Sequence, residues 1–224
     1  MSRLLPNDSV VIALPAGRIL TEVLPILARA GIHPEPEFSN PAARQLRFAT
    51  GEAGIEIVRD RSFDVATLVA YGGAALGVAG SDVIQEFDYP ELYAPVDLGI
   101  GRCRLVVAAK RGQAEAANVS HLRVATKYPS LTSRHFARKG VQAECIKLNG
   151  SIELAPLLGL CDLIVDLTQS GRTLVANGLV ETEEILRCSS RLVANRTALK
   201  TRADVLGRIV ARIEAAVAET GHGA

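Results

Sequence analysis

The sequence contains the stretch Leu163-Ile-Val-Asp-Leu-Thr-Gln-Ser-Gly-Arg-Thr-Leu-Val-Ala-Asn-Gly-Leu179. Its first five residues are mostly apolar and rich in β-branched side chains, which predicts a strand buried on both faces. Small polar residues follow, and then a short helical pattern that Asn177-Gly178 can end in a left-handed cap. A strand, a polar loop and a helix N-terminus together indicate an α/β unit with an anion site at the loop.

The loop supplies the groups that an anion site needs. We expect Ser170 to cap the helix, Gly171 to let the backbone approach a ligand, and Arg172 to donate two hydrogen bonds to a phosphate. An ordinary turn between a strand and a helix would use similar residues, so this alternative stays open on the local pattern. The loop residues are Thr168, Gln169, Ser170, Gly171, Arg172 and Thr173.

The composition of the 224 residues excludes several classes of protein. Hydrophobic residues make up 48% and charged residues 22%, as in globular domains, and the formal net charge is +1. Aromatic residues are only 4% and Trp is absent, so a stacking platform for nucleic acid is not expected. No apolar run reaches the ~18 residues that a membrane span needs. The first residues lack the pattern of a signal peptide, so we expect a cytoplasmic protein.

The cysteines are spaced too widely for a clustered zinc site, and the histidines offer no matching spacing. Free, buried thiols are therefore expected. The cysteines are Cys103, Cys145, Cys161 and Cys188.

Strand and helix patterns alternate along the chain, which predicts mostly parallel sheets with helices outside. Pro25 predicts a kink in the first helix or a later start. Residues 88–101 read as an irregular crossing between two lobes, and 149–160 as a turn entering an apolar helix. The expected strands are 10–14, 55–59, 75–78, 104–109, 122–126, 143–148, 163–167, 182–187 and 191–195. The expected helices are 19–30, 64–70, 81–85, 131–139 and 202–220.

Charged residues lie in three turns at predicted strand ends, where α/β sheets bind their ligands. They are Arg18, Lys127 and Arg172, and their coincidence favours a substrate with several phosphates over three solvated surface charges. Asp166 ends a buried strand, where an ionised carboxylate needs partners such as ribose hydroxyls.

The turn Gly150 to Glu153 is a fourth candidate. Ser151 is expected to cap a helix whose free N–H groups take another phosphate. Glu153 is expected to accept a hydrogen bond from a ribose hydroxyl or to hold a metal-bound water. Alternatively, Glu153 merely complements the helix dipole.

Several of these segments resemble the ATP phosphoribosyltransferase family. The resemblance is carried by 123–132 (RVATKYPSLT), 146–160 (IKLNGSIELAPLLGL) and 162–179, with shorter segments at 64–69, 77–84 and 190–195. It runs from about residue 10 to 200, with the motifs in the family's order.

The resemblance implies a two-lobed, periplasmic-binding-protein-like (type II) α/β fold with a cleft between the lobes. Residues 1–100 and 188–224 would form lobe I, and 101–187 lobe II. It implies a pentosyltransferase that converts ATP and 5-phosphoribosyl 1-pyrophosphate to N1-(5-phosphoribosyl)-ATP and pyrophosphate, the first step of histidine biosynthesis. Mg²⁺ would bind through the substrate phosphates, and its protein ligands stay unknown.

In that family, the loop Thr168 to Thr173 would hold the 5′-phosphate, with Asp166 near the ribose. Arg18, Lys127 and the turn Gly150–Glu153 would line the rest of the cleft. No nucleophilic side chain is needed, because Arg18, Lys127 and Arg172 would stabilise the charge of the transition state.

The length resembles that of the short form, which implies a homodimer that assembles with a regulatory subunit similar to histidyl-tRNA synthetase. Two positions depart from the family pattern: Ala16 replaces a usual Lys, and Ala75 a usual Asp. The loss of a lysine removes a positive charge from the polyphosphate site that the resemblance implies. A non-catalytic solute- or nucleotide-binding module of the same fold is the alternative.

Overall fold

The structure is a computed structural model that describes residues 9–40, 42–112 and 121–221. The strands, in chain order, are β1 (Val10–Pro15), β2 (Arg47–Ala49), β3 (Ile55–Asp60), β4 (Leu76–Gly80), β5 (Leu92–Asp97), β6 (Cys103–Lys110), β7 (His121–Thr126), β8 (Gln142–Lys147), β9 (Leu163–Thr168), β10 (Leu179–Cys188) and β11 (Ser190–Asn195). The α-helices are α1 (Arg18–Arg29), α2 (Ser62–Ala70), α3 (Ser81–Phe87), α4 (Pro129–Arg138), α5 (Leu154–Leu157), α6 (Arg172–Ala176), α7 (Arg196–Thr201) and α8 (Ala203–Gly221).

The chain forms two compact units. The first comprises the residues up to Gly101 and those from Ser189 onward, and the second runs from Arg102 to Cys188. In the first unit, the strand order is β2-β3-β1-β4-β11-β5. The side chains of β1 alternate between the two faces of this sheet. Ile12 and Leu14 pack in the core formed with α1 and α8, whereas Val11 and Ala13 pack against α2.

The sheet of the second unit has the order β10-β6-β9-β7-β8. Strand β7 runs parallel to β8 and β9, whereas β6 runs antiparallel to β9 and β10. The first sheet is also mixed, since β1 pairs in parallel with β3 and β4 while β11 and β2 pair antiparallel with their neighbours. The expectation of an α/β fold is confirmed, but that of mostly parallel sheets is corrected to mixed sheets. Apart from that of β2 with β3, the antiparallel pairs involve the strands on either side of the two crossings between the units, β5 and β6 at the first crossing and β10 and β11 at the second.

Several local expectations were wrong. The segment 88–101 contains β5, whose pairing with β11 is not visible in the local pattern. The apolar helix expected through residue 160 shrinks to α5, because Pro156 has no N–H and Gly159 takes a φ of +70°. Helix α1 begins at Arg18 despite the internal Pro25, so the late start is also wrong. The short edge strand β2 was not expected at all.

The described helices include none that is long and apolar enough to cross a membrane. The four cysteines, all among the described residues, form no disulfide. Cys161 and Cys188 are buried as expected, whereas Cys103 and Cys145 are only half-buried.

Candidate functional site

The candidate site of the second unit lies at the carboxyl ends of three parallel strands. Thr126, the last residue of β7, lies opposite Lys147 of β8 and Val165 of β9. Lys127, the turn 149–153 and the loop 168–173 therefore leave the sheet at the same edge. Parallel α/β sheets bind their ligands at this edge, so the register brings together the candidates that the sequence placed in this unit.

The loop after β9 is closed by a hydrogen bond within itself. The backbone N–H of Gly171 donates to Oγ1 of Thr168 at 2.9 Å, and Gly171 has a φ of +72°, the left-handed region that favours glycine. Gly171, and not Ser170, is the residue before α6, and no side chain caps that helix. The expected Ser170 cap is therefore wrong, because the left-handed turn places a glycine where the cap would stand.

The remaining side chains of the loop face solvent. Gln169, Ser170, Arg172 and Thr173 are exposed or half-buried, as is Thr168 at the end of β9. The helix end is as expected: Gly178, just after Asn177, has a φ of +70°. The loop thus presents an amide, two hydroxyls and a guanidinium above a hydroxyl that fixes its shape.

Asp166 is the ionisable group that the structure perturbs most clearly. Burial raises its pKa to about 6, with a further contribution from the carboxylate of Glu153, whereas a hydrogen bond from the N–H of Leu167 and the ammonium of Lys127 lower the pKa. That hydrogen bond reaches Oδ1 at 2.8 Å. The charges of Glu153 and Lys127 therefore both act on Asp166, although the three residues are far apart in the sequence.

The turn between β8 and α5 holds an unusual backbone conformation. Ser151 is exposed and has a φ of +49°, which is rare for a residue other than glycine and marks local strain. Ile152, 2% exposed, anchors the turn in the core. The expected Ser151 cap is wrong, because α5 begins only at Leu154, after Glu153, and no side chain caps it. The main-chain carbonyl of Ser151 instead accepts from the N–H of Leu154 at 3.1 Å.

Sequence reasoning missed two buried threonines beside Lys127. Thr126 and Thr132 are both 0% exposed, and their hydroxyls lie 3.3 Å apart. The signal that could have identified Thr126 is a hydroxyl residue at the end of an apolar strand, because such a side chain can accept a hydrogen bond from the backbone two residues further on. In the structure, Oγ1 of Thr126 accepts from the N–H of Tyr128.

The first unit carries the other candidates. Arg18 is the first residue of α1, and its Nε lies 3.4 Å from Oε1 of Glu22. Ala16 is exposed in the turn before it, whereas Ala75 is buried just before β4. The structure thus groups the candidates of the second unit with each other and places Arg18 on a separate unit.

The described residues contain no group of three or more His, Cys, Asp or Glu side chains placed to hold a metal ion by themselves. Glu153 and Asp166 are nevertheless two carboxylates in electrostatic contact beside the loop. A pair of carboxylates that completes its shell with ligand phosphates is a donor set that Mg²⁺ accepts.

These features define a class: an α/β protein of two units with a candidate anion site at the carboxyl edge of one sheet. Among solved structures, an aliphatic sulphonate binding protein from Escherichia coli, SsuA, has the same fold, with a TM-score of 0.58 at 14% identity over 96% of this chain and 74% of that one. At that identity the likeness shows the periplasmic-binding-protein fold alone.

The comparisons also identify the family. The family model HisG, ATP phosphoribosyltransferase, matches residues 61–215. An ATP phosphoribosyltransferase from Rhodospirillum rubrum is 65% identical over 198 residues, 87% of either chain, and one from Paramagnetospirillum magneticum is 61% identical over 202 residues, 89% of this chain and 92% of that one. The HisG:HisZ ATP phosphoribosyl transferase complex from Thermotoga maritima contains a chain that matches with a TM-score of 0.81 and 30% identity, over 94% of this chain and 99% of that one.

The chain belongs to the ATP phosphoribosyltransferase family. The resemblance seen in the sequence is confirmed, and with it the class of enzyme, a pentosyltransferase that carries out the first step of histidine biosynthesis. A non-catalytic binding module of the same fold is not favoured.

Proposed function

We propose that the carboxyl edge of the second sheet holds phosphoribosyl pyrophosphate while N1 of ATP attacks it. The observation that supports this most directly is the convergence of Lys127, Glu153 and Asp166 beside the loop 168–173. The amide, hydroxyls and guanidinium of that loop suit the 5′-phosphate, because each donates a hydrogen bond and Arg172 adds a positive charge. Asp166 and Glu153 accept hydrogen bonds from the ribose hydroxyls.

The loop residues divide into two tasks. Ser170, Gly171, Arg172 and Thr173, with Gln169, contact the phosphate. Thr168 holds the loop in shape, because its hydroxyl accepts from the N–H of Gly171. Gly150 and Ser151 complete the binding surface on the neighbouring turn, where the strained backbone of Ser151 exposes its side chain.

The reaction needs charge stabilisation and alignment, and no nucleophilic side chain. A bond forms between N1 of the adenine and C1 of the ribose as the bond between C1 and the pyrophosphate oxygen breaks. The electron pair of that bond leaves with pyrophosphate, so negative charge grows there. Lys127, Arg172 and, from the first unit, Arg18 stabilise this charge.

Mg²⁺ is the proposed metal ion. Asp166 and Glu153 would hold it together with substrate phosphates, which agrees with the donor set described above. Bound there, it would neutralise part of the charge on the leaving pyrophosphate.

We also propose that the chain is the short form, that it pairs as a homodimer in the cytoplasm, and that it assembles with a regulatory subunit similar to histidyl-tRNA synthetase. The solved relative from Thermotoga maritima, a HisG:HisZ complex, supports a hetero-oligomer. The chain spans most of the length of its relatives, 87% and 92% for the two curated proteins.

The replacement of Arg172 by alanine tests the proposal. We expect Arg172→Ala to lose most of the turnover of ATP and phosphoribosyl pyrophosphate with Mg²⁺, by about 100-fold or more, the scale of one lost transition-state donor. Arg111→Ala is the matched control, because Arg111 is an exposed arginine of the same unit at the other end of the sheet, just after β6, where Ala109 lies opposite Leu163, the first residue of β9. Pyrophosphate release is measured with and without the candidate regulatory subunit. Normal turnover in Arg172→Ala would remove the loop from the mechanism.

A further inference from the structure

Two fully buried hydroxyls lie beneath the turn that carries Lys127. Thr126 ends β7 and Thr132 lies on α4, and both side chains are 0% exposed. A buried hydroxyl costs free energy unless it is hydrogen-bonded, whereas valine would fill nearly the same volume without that cost. The presence of hydroxyls at these two positions therefore points to the hydrogen bonds that they make.

Those hydrogen bonds fix the backbone on both sides of Lys127. Oγ1 of Thr126 accepts from the N–H of Tyr128 at 2.9 Å, and the hydroxyl of Thr132 donates to the same oxygen at 3.3 Å. The carbonyl of Thr126 accepts from the N–H of Leu148 at 3.0 Å. Thr126, just before Lys127, is thereby hydrogen-bonded to α4 and to Leu148, which follows β8. Tyr128, just after Lys127, is hydrogen-bonded to Thr126.

The start of α4 is tied to the same turn. The N–H of Thr132 donates to the carbonyl of Tyr128 at 2.9 Å, and Tyr128, 3% exposed, directly precedes the helix without a side-chain cap of its own. The hydroxyl of Thr126, and not a side-chain cap, therefore holds the residue that precedes α4 in place. Lys127, half-buried between these fixed points, lies close enough to Asp166 to act on it electrostatically.

We propose that Thr126 and Thr132 are positioning residues that hold the ammonium of Lys127 at the phosphoribosyl pyrophosphate site, a role that rests on the proposed function of Lys127. Neither threonine contacts the substrate. Their hydroxyls act through the backbone of the turn, so their loss weakens substrate binding without removing a charged group.

The test compares two variants of Thr126 that disturb the core to a similar extent. Thr126→Val keeps the volume but leaves the N–H of Tyr128 without its acceptor, and Thr126→Ser keeps the hydroxyl but removes a buried methyl group. Both are expected to lower the melting temperature. Only Thr126→Val is expected to raise the KM for phosphoribosyl pyrophosphate, by about tenfold, the equivalent of one hydrogen bond of ordinary strength. Thr132→Val is expected to raise it by a smaller factor.

Thr182→Val is the control for the loss of a threonine hydroxyl outside the core. Thr182 is exposed on β10, three strands from β7, and its hydroxyl donates to the carbonyl of Val107 at 3.2 Å, so its removal is expected to leave the KM unchanged. A KM that follows the melting temperature in both Thr126 variants would overturn the positioning role, because a merely structural residue behaves in that way.

Lys127→Ala separates this proposal from the proposed function. In the Lys127→Ala background, Thr126→Val adds no further rise in KM if the threonine acts through the lysine. A further rise of the same size would overturn the coupling. If Lys127→Ala leaves the KM for phosphoribosyl pyrophosphate unchanged, Lys127 does not bind the substrate as proposed. A raised KM in Thr126→Val would then show that Thr126 does not act through Lys127.

Discussion

Asp166 allows the candidate site to be tested by stability as well as by activity. Burial is the largest cause of its raised pKa, so the folded protein has a free-energy cost for keeping this carboxyl ionised. The substitution Asp166→Asn removes the charge. It keeps an oxygen that can accept the hydrogen bond from Leu167, which in the wild type has a length of 2.8 Å. We therefore expect the variant to be more stable than the wild type at neutral pH, although it loses a proposed ribose ligand.

The direction in which stability changes with pH follows from the number of protons that the folded and unfolded states bind. The ordinary pKa of an aspartate carboxyl is 3.8 and the pKa of Asp166 in the folded chain is about 6, so between these values the folded state binds more protons than the unfolded state. Stability that is present below pH ~3.8 is therefore lost as the pH rises through about 6. The asparagine variant has no such loss, so the two proteins diverge as the pH rises.

The same two pKa values give the size of the expected difference in stability between the wild type and Asp166→Asn. Linkage predicts that the advantage of Asp166→Asn in free energy of unfolding is about 1 kcal/mol at pH ~4.5 and about 3 kcal/mol at pH ~7.5, a gain of about 2 kcal/mol. Urea unfolding followed by far-UV circular dichroism measures it, since the chain lacks tryptophan for fluorescence. An advantage that is absent at pH ~7.5, or that does not change with pH, would refute the reasoning, because only a carboxyl with a raised pKa produces the divergence.

Two further substitutions test the surroundings of the site and the first unit. Glu153→Gln is expected to lower the pKa of Asp166 toward its ordinary value, because it removes a neighbouring negative charge, and a carboxyl NMR titration that shows no decrease would contradict their proximity. Asn195→Ala is expected to cost about 2–4 kcal/mol in urea unfolding, because its buried amide donates to the carbonyls of Val69 and Ala70 and its oxygen caps α7. Asn40→Ala, which replaces an asparagine outside the core, is the control and is expected to cost less than about 1 kcal/mol. Equal losses of stability in both variants would show that the buried hydrogen bonds of Asn195 contribute no more than those of an asparagine outside the core.

The class of fold and most elements were predictable because hydrophobic periodicity and glycine are local signals. The run Leu163 to Leu167 became β9, and the helix after it ended at the expected Asn177-Gly178. The loop that follows β9 was predictable for the same reason, because its glycine and small polar residues are also a local signal. Strand β5 was missed, because it pairs with β11, whose residues lie about a hundred positions further along the chain.

Details of the candidate site depended on the fold. The sequence identified Ser170 and Ser151 as helix caps, but left-handed backbone at Gly171 and at Ser151 moved both helix starts onward. Cap preference is a weak local tendency that the geometry of a turn between two packed elements overrides.

The amino-acid sequence alone determined the family, the alternation of strands and helices, and the residue types at each turn. Tertiary structure decided which turns meet, since the register of β7 with β8 and β9 brings together Lys127, Glu153 and Asp166. It also decided the environment of each group: burial raises the pKa of Asp166 and encloses the hydroxyls of Thr126 and Thr132. Burial and register arise from contacts between residues distant in the chain, and no local pattern of residues specifies them.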